Sequence, residues 1–125
     1  MRKAKVAVVR VPEKPSEKEV DAGVRKAIGL VGGLTDIISC GDTVLVKPNL
    51  VIARPPETGA TTDPRICKAI ANIVKEIGAR PVIADSSIID ADTEETIQAT
   101  GYGKLGEAGY EIVDLKREDK KTDST

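Results

Sequence analysis

The stretch Thr43-Val44-Leu45-Val46-Lys47-Pro48-Asn49-Leu50 decides the fold. A run of β-branched and aliphatic residues ends in a cation, a proline and an amide, which is the pattern of a buried strand that stops abruptly. In an open α/β sheet the ligand crevice lies beyond the carboxyl ends of the strands, so Lys47 and Asn49 stand where function is expected.

Towards the amino terminus, Gly41-Asp42 leads into this strand from a short amphipathic turn around Leu34 to Ile38. Lys5 to Val11 reads as an earlier strand, with Val6 and Val8 on one face and Ala7 and Val9 on the other. Apolar residues on both faces are the mark of a parallel sheet covered from two sides. Pro12 and Pro15 break the run, and Ser16-Glu17-Lys18-Glu19 is a capping box that opens a helix with Val20, Val24, Ala27, Ile28 and Val31 on one stripe. Gly32-Gly33 ends that helix.

Towards the carboxyl terminus a loop runs from Pro48 to Thr62, long for a strand-to-helix connection and therefore either functional or disordered. Asp63-Pro64 supplies a cap and a proline at the first helical position. The helix it starts carries Ile66, Ile70, Ile73, Val74 and Ile77 on its apolar face and stops at Gly78. Pro81 to Ala84 is the third strand, followed by Asp85-Ser86-Ser87. Asp92-Thr93-Glu94-Glu95 caps a third helical segment, interrupted at Gly101 and resuming to about Ala108, and Glu111 to Leu115 is the fourth strand. Alternating strands and helices joined by right-handed crossovers predict one domain over residues 4–115. Its fold class is α/β, three-layer, with a mainly parallel four-stranded sheet and helices on both faces. Residues 116–125 are almost wholly charged or hydroxylic and are expected to fray.

Composition narrows the chemistry. The 125 residues include no Phe, no Trp and two Tyr, so the interior must be built from Val, Ile, Leu and Ala. Nineteen basic residues against twenty acidic ones give a net charge of −1, which offers no electrostatic footprint for nucleic acid or an anionic membrane. The apolar run from Val6 to Val9 is too short for a signal peptide or a membrane span, which makes the cytoplasm the expected location. Two cysteines and no histidine leave no metal-ligand cluster and no Ser-His or Cys-His pair.

Three polar clusters are expected on one sheet edge. Lys47 offers a point charge and Asn49 a donor and an acceptor, with Pro48 rigidifying the turn, although the same residues also make an ordinary solvated strand end. Thr61-Thr62-Asp63-Pro64 is first a helix start; its free amides and hydroxyls also attract phosphate or carboxylate, against which Asp63 weighs unless its own charge is held by the cap or a metal bridges the two. Asp85, Ser86 and Ser87 follow a strand and either make a turn or add polar groups to the same crevice. Asp85 is the one residue suited to act as a general base or Mg²⁺ ligand, but no second carboxylate is located beside it, so no catalytic residue and no metal site are assigned. Gly101-Tyr102-Gly103-Lys104-Leu105-Gly106 has GxGxxG spacing but follows a helix rather than a strand, the wrong context for a dinucleotide. Cys67 lies at helical spacing from Ile70 and Val74 and reads as a core thiol; Cys40 is ambiguous.

Val44-Leu45-Val46-Lys47-Pro48-Asn49-Leu50, Thr61-Thr62-Asp63-Pro64, Glu76-Ile77-Gly78-Ala79, Ala84-Asp85-Ser86 and Gly109-Tyr110-Glu111-Ile112-Val113-Asp114-Leu115 together resemble the amino-terminal half of domain of unknown function 362. The resemblance implies a redox-associated family in which this domain is often joined to a ferredoxin-like module holding iron–sulfur clusters. It also implies a second half with further Lys, His and Asn positions, so that this chain is a short member or a fragment.

The expected function is binding of a small anionic ligand or cofactor at the strand carboxyl ends through Lys47, Asn49, Thr61, Thr62, Asp63, Asp85, Ser86 and Ser87. A non-catalytic interaction module that completes a composite fold with a separate redox or iron–sulfur partner is the alternative, and a remnant without function is a third reading. The chain itself is expected to hold no iron–sulfur cluster, because two distant cysteines cannot supply four thiolates. A sheet with two edges and three helical segments should leave aliphatic surface exposed near the fourth strand, which points to a homo-oligomer or a separate protein partner.

Overall fold

The computed structural model describes residues 3–48, 62–85 and 102–114. Helix α1, Glu17–Leu30, starts as the capping box dictates: Glu19 N donates to Ser16 Oγ at 3.1 Å and Ser16 N to Glu19 Oε1 at 3.0 Å. It ends at Val31, and Gly32 and Gly33 turn the chain with φ of 105° and 75°, values that glycine tolerates without a steric penalty. In the turn that follows, Ile38 N donates to the Leu34 carbonyl at 2.9 Å, and the buried Ile38 packs with Val74 and Ala79.

Strands β1 (Thr43–Val46), β2 (Arg80–Asp85) and β3 (Ile112–Asp114) form a parallel sheet in the order β1-β2-β3. Val46 pairs with Ile83, and Ile83 in turn with Ile112. Helix α2, Pro64–Ile77, connects the first two strands, capped by Asp63 and closed by Gly78 at φ 92°. Helix α3, Tyr102–Glu107, precedes the third.

Strand order that copies chain order has a geometric consequence. Successive right-handed crossovers in one direction put their helices on one face of the sheet. Cys67 from α2 and Tyr102 and Leu105 from α3 accordingly pack in one cluster with Val46 and Ile83. Helix α1 does not extend this layer but lies against the outer side of α2. There Arg25 bridges Asp21 at 2.8 Å and Glu76 at 2.6 Å, and Lys68 pairs with Glu17. Being sandwiched gives α2 two covered sides. Cys67, Ala71 and Val74 recur at helical spacing towards the sheet, while Ala69 lies beneath α1.

Four expectations are corrected. The sheet has three strands among the described residues, not four, because Lys5 to Val11 makes no ladder. That segment instead lies on α1, where a Cβ at Gly23 would stand 2.7 Å from a Val11 methyl, and it leaves Val6 84% and Val8 88% exposed. The described helices gather on one face rather than two, for the topological reason just given. Ile66 sits at the rim of α2 at 36% exposure, not in its buried face. Among the described residues the exposed aliphatic side chains are not at β3, where Ile112 and Val113 are half-buried; they lie in the amino-terminal segment, at the end of α1, in the turn after it, on β1 and at the rim of α2. The interior of the long loop, the helix expected from Asp92 and the charged tail lie outside the described residues.

Candidate functional site

Because the sheet is parallel, the ends of β1, β2 and β3 and the beginning of α2 share one edge. Lys47, directly after β1, is exposed, and the following Pro48 is buried, so the proline anchors the turn and the lysine faces solvent. Thr62 and Asp63 are half-buried at the start of α2. Asp85 is the last residue of β2. Of the expected site residues, Asn49, Thr61, Ser86 and Ser87 lie outside the described residues.

Asp63 is the helix cap that the sequence indicates. Its Oδ1 accepts from Arg65 N at 2.9 Å, and its Oδ2 takes the Arg65 guanidinium Nη2 at 2.8 Å. Hydrogen bonding to Arg65 holds the Asp63 carboxyl below its ordinary range despite partial burial. Arg65 extends further, donating from Nη1 to the Pro15 carbonyl at 2.5 Å and so tying the start of α2 to the chain entering α1. The negative charge at this helix start is therefore balanced by its own neighbour.

The edge has a second fastening. Tyr102, fully buried, donates its hydroxyl to the Thr62 carbonyl at 2.8 Å and reaches Cys67 Sγ at 3.3 Å. Cys67 is the packed core thiol expected from its spacing, and burial pushes its pKa up. Cys40 is an exposed free thiol. Gly103 and Gly106 lie within α3, so the GxGxxG spacing forms no phosphate-cradling turn.

Arg65, Tyr102 and Asp114 escaped the sequence reading. Asp114 is the register partner of Asp85, so two acidic residues end adjacent strands. Its signal was present: Ala84-Asp85 and Val113-Asp114 both finish an apolar run with aspartate. Tyr102 carried a compositional signal as one of two aromatic residues in the chain. Arg65 follows a cap residue by two positions, where a long cation can fold back on the carboxylate.

Away from this edge, a cavity of about 390 Å³ opens between the amino-terminal segment, α1 and the start of α2, walled by Val9, Val11, Val20, Val24 and Ile66 with the Asp63–Arg65 pair beside it. Among the described residues there is no group of three or more metal-ligating side chains. No helix among them is long and apolar enough to cross a membrane.

Comparison with known proteins gives one family and one curated relative. The model of a domain of unknown function, DUF362, matches residues 44–125. Thylakoid-associated protein sll1697 of Synechocystis sp. is 35% identical over 65 residues, which are 52% of this chain and 20% of that protein. The matched part thus spans a fifth of the relative's length. No solved structure matches this chain.

Proposed function

The chain belongs to the domain of unknown function 362 family, and from that premise we propose that it binds a small anionic ligand or cofactor at the carboxyl edge of its sheet. The observation that carries this reading is the exposed Lys47 at the end of β1, on the edge where α2 begins with its Asp63 charge already balanced by Arg65. An uncompensated carboxylate there would repel an anion; pairing it with Arg65 removes that repulsion from the edge that carries the lysine and the helix start. The other end of the edge differs in character. Asp85 and Asp114 end neighbouring strands, an arrangement suited to hydrogen-donating groups rather than to a second negative charge. The ligand inferred is one whose anionic group meets Lys47, Asn49, Thr61 and Thr62, and whose neutral polar part meets Asp85, Ser86 and Ser87. Its setting is the redox-associated chemistry implied by the family resemblance, in the cytoplasm.

Titration with inorganic phosphate and with sulfate, followed by amide chemical shifts, tests the site. Shifts should concentrate at Asn49, at residues 61–65 and at Ser86, and Lys47→Ala should weaken binding while Lys47→Arg largely keeps it. Saturable binding indifferent to Lys47→Ala removes the lysine from the site; no binding of any anion removes the site itself.

A second reading, an interaction module completing a composite fold with a separate redox partner, is favoured by a different observation. Leu30, Val31 and Ile37 stand exposed at the end of α1 and in the turn after it, before the chain enters β1. Apolar side chains grouped along a short stretch mark a contact surface. Loss of partner capture on replacing Leu30 and Ile37 by Lys, with anion binding retained, would separate the two readings.

A further inference from the structure

Two elements of this chain lack the same thing. β1 is at the end of the sheet order, and among the described residues its outer edge has no strand beside it. Its sequence, Thr43-Val44-Leu45-Val46, contains neither the lysine nor the proline that blunts an exposed edge, and Leu45 is 56% exposed. The segment Lys5 to Val9 is the complement. Its burial alternates, with Ala7 and Val9 half-buried and Val6 and Val8 open to solvent, as in an extended chain that covers one side only. It pairs with no strand among the described residues.

We propose that the amino-terminal segment of a second copy of this chain adds to the free edge of β1, reciprocally, to make a strand-exchanged dimer. The occupant is argued from how the segment is seated. Val9 and Val11 hold it on α1 beside Gly23, close to the start of α2, and there it forms no ladder with its own β1. That seat uses one face and leaves the backbone groups and the Val6 and Val8 side chains available. A second molecule can bring its β1 edge to them without unseating anything. Strand addition uses main-chain hydrogen bonds for affinity and alternate side chains for fit. Val6 and Val8 would then flank the partner's Leu45, so that three exposed aliphatic residues cover one another. A reciprocal exchange closes as a two-fold dimer and leaves neither β1 edge open. The proposal does not depend on the anion site.

Sedimentation velocity and light scattering over a concentration series read the outcome on the full chain. A species of twice the 13.2 kDa chain mass is expected at high concentration. Val6→Asp with Val8→Asp, and separately Leu45→Lys, should each raise its dissociation constant about tenfold or more, because a charge on a pairing edge blocks addition. These side chains are exposed, so far-UV circular dichroism, and the unfolding midpoint at concentrations where the parent chain is monomeric, should not change; at dimer-forming concentrations the parent midpoint should rise above that of the variants. A monomer at every concentration, or a dimer indifferent to both substitutions, overturns the proposal. In a Cys40→Ala background, mixing Val8→Cys chains with Leu45→Cys chains should give a disulfide between different chains. If the doubly substituted chain, at high dilution, instead closes the disulfide within itself, the segment is its own molecule's fourth strand and the exchange is refuted.

Discussion

Tyr102 joins two elements with one hydroxyl, which donates to the Thr62 carbonyl at 2.8 Å and lies 3.3 Å from Cys67 Sγ. Thr62 precedes the cap of α2 and Cys67 lies in its first turn, so a side chain from α3 pins the helix start that borders the carboxyl edge. Removing the hydroxyl alone, in Tyr102→Phe, should lower stability by about 0.5–1.5 kcal/mol. Removing the ring, in Tyr102→Ala, should cost about 3–5 kcal/mol, because the residue is fully buried among Val46, Cys67, Ile83 and Leu105. Urea unfolding curves measure both, and equal losses in the two variants would show that the ring contributes nothing beyond the hydroxyl.

The two thiols should react at very different rates. Cys40 is exposed, whereas Cys67 is 2% exposed with its thiol pushed up by burial, which disfavours the reactive thiolate. A chromogenic disulfide reagent at neutral pH should modify one thiol per native chain promptly and the second only on unfolding. Prompt modification of both would mean that the cluster around Tyr102 opens readily.

Gly78 is held by backbone conformation more than by space. At φ 92° it occupies the left-handed region, and an added Cβ would stand 2.8 Å from Cys40 Sγ. Gly78→Ala should destabilise by roughly 1–2 kcal/mol from the backbone alone. Adding Cys40→Ala relieves only the side-chain contact, so most of the loss should persist in the double variant. Full recovery would assign the effect to crowding instead.

Asp63 sets an acid limb. Its carboxyl is held below the usual aspartate range chiefly by the Arg65 side chain, so the folded state releases its proton more readily than the unfolded state. The contribution to stability is complete above about pH 4, the unfolded range for aspartate, and declines as pH falls through the lower folded value. Asp63→Asn keeps a cap acceptor but removes the titration, so stability below pH 4 should fall less steeply than in the parent chain. Asp63→Ala should cost about 0.5–2 kcal/mol at neutral pH by losing the cap. Unfolding followed by circular dichroism at a series of pH values checks both; parallel acid limbs in Asp63→Asn and the parent would show that another group governs the decline.

Local signals were legible where a residue's neighbours in sequence are also its partners in space. Ser16 with Glu19, Asp63 with Pro64 and Gly78 announce helix ends because capping is settled within a few residues. The strand at Thr43 and its exit through Lys47 were legible for the same reason. Lys5 to Val11 was not, because alternation describes which faces are apolar and says nothing of which element supplies the cover; here α1 supplies it on one side and solvent takes the other. At the candidate site, the cap role of Asp63 could be read, but the Arg65 pair, the Tyr102 fastening and the Asp85–Asp114 register join residues that only folding brings together.

The order β1-β2-β3 also bears on how the chain is made. A ribosome releases β1 and α2 before β2, and β2 before β3, so β2 emerges to find β1 already present and β3 emerges to find β2. No strand has to wedge between two that are joined, the step that sheets with reshuffled order impose. The sheet is thus able to be laid down during synthesis in one direction, with Tyr102 and Leu105 of α3 arriving after β2 to close the cluster that Val46, Cys67 and Ile83 have begun.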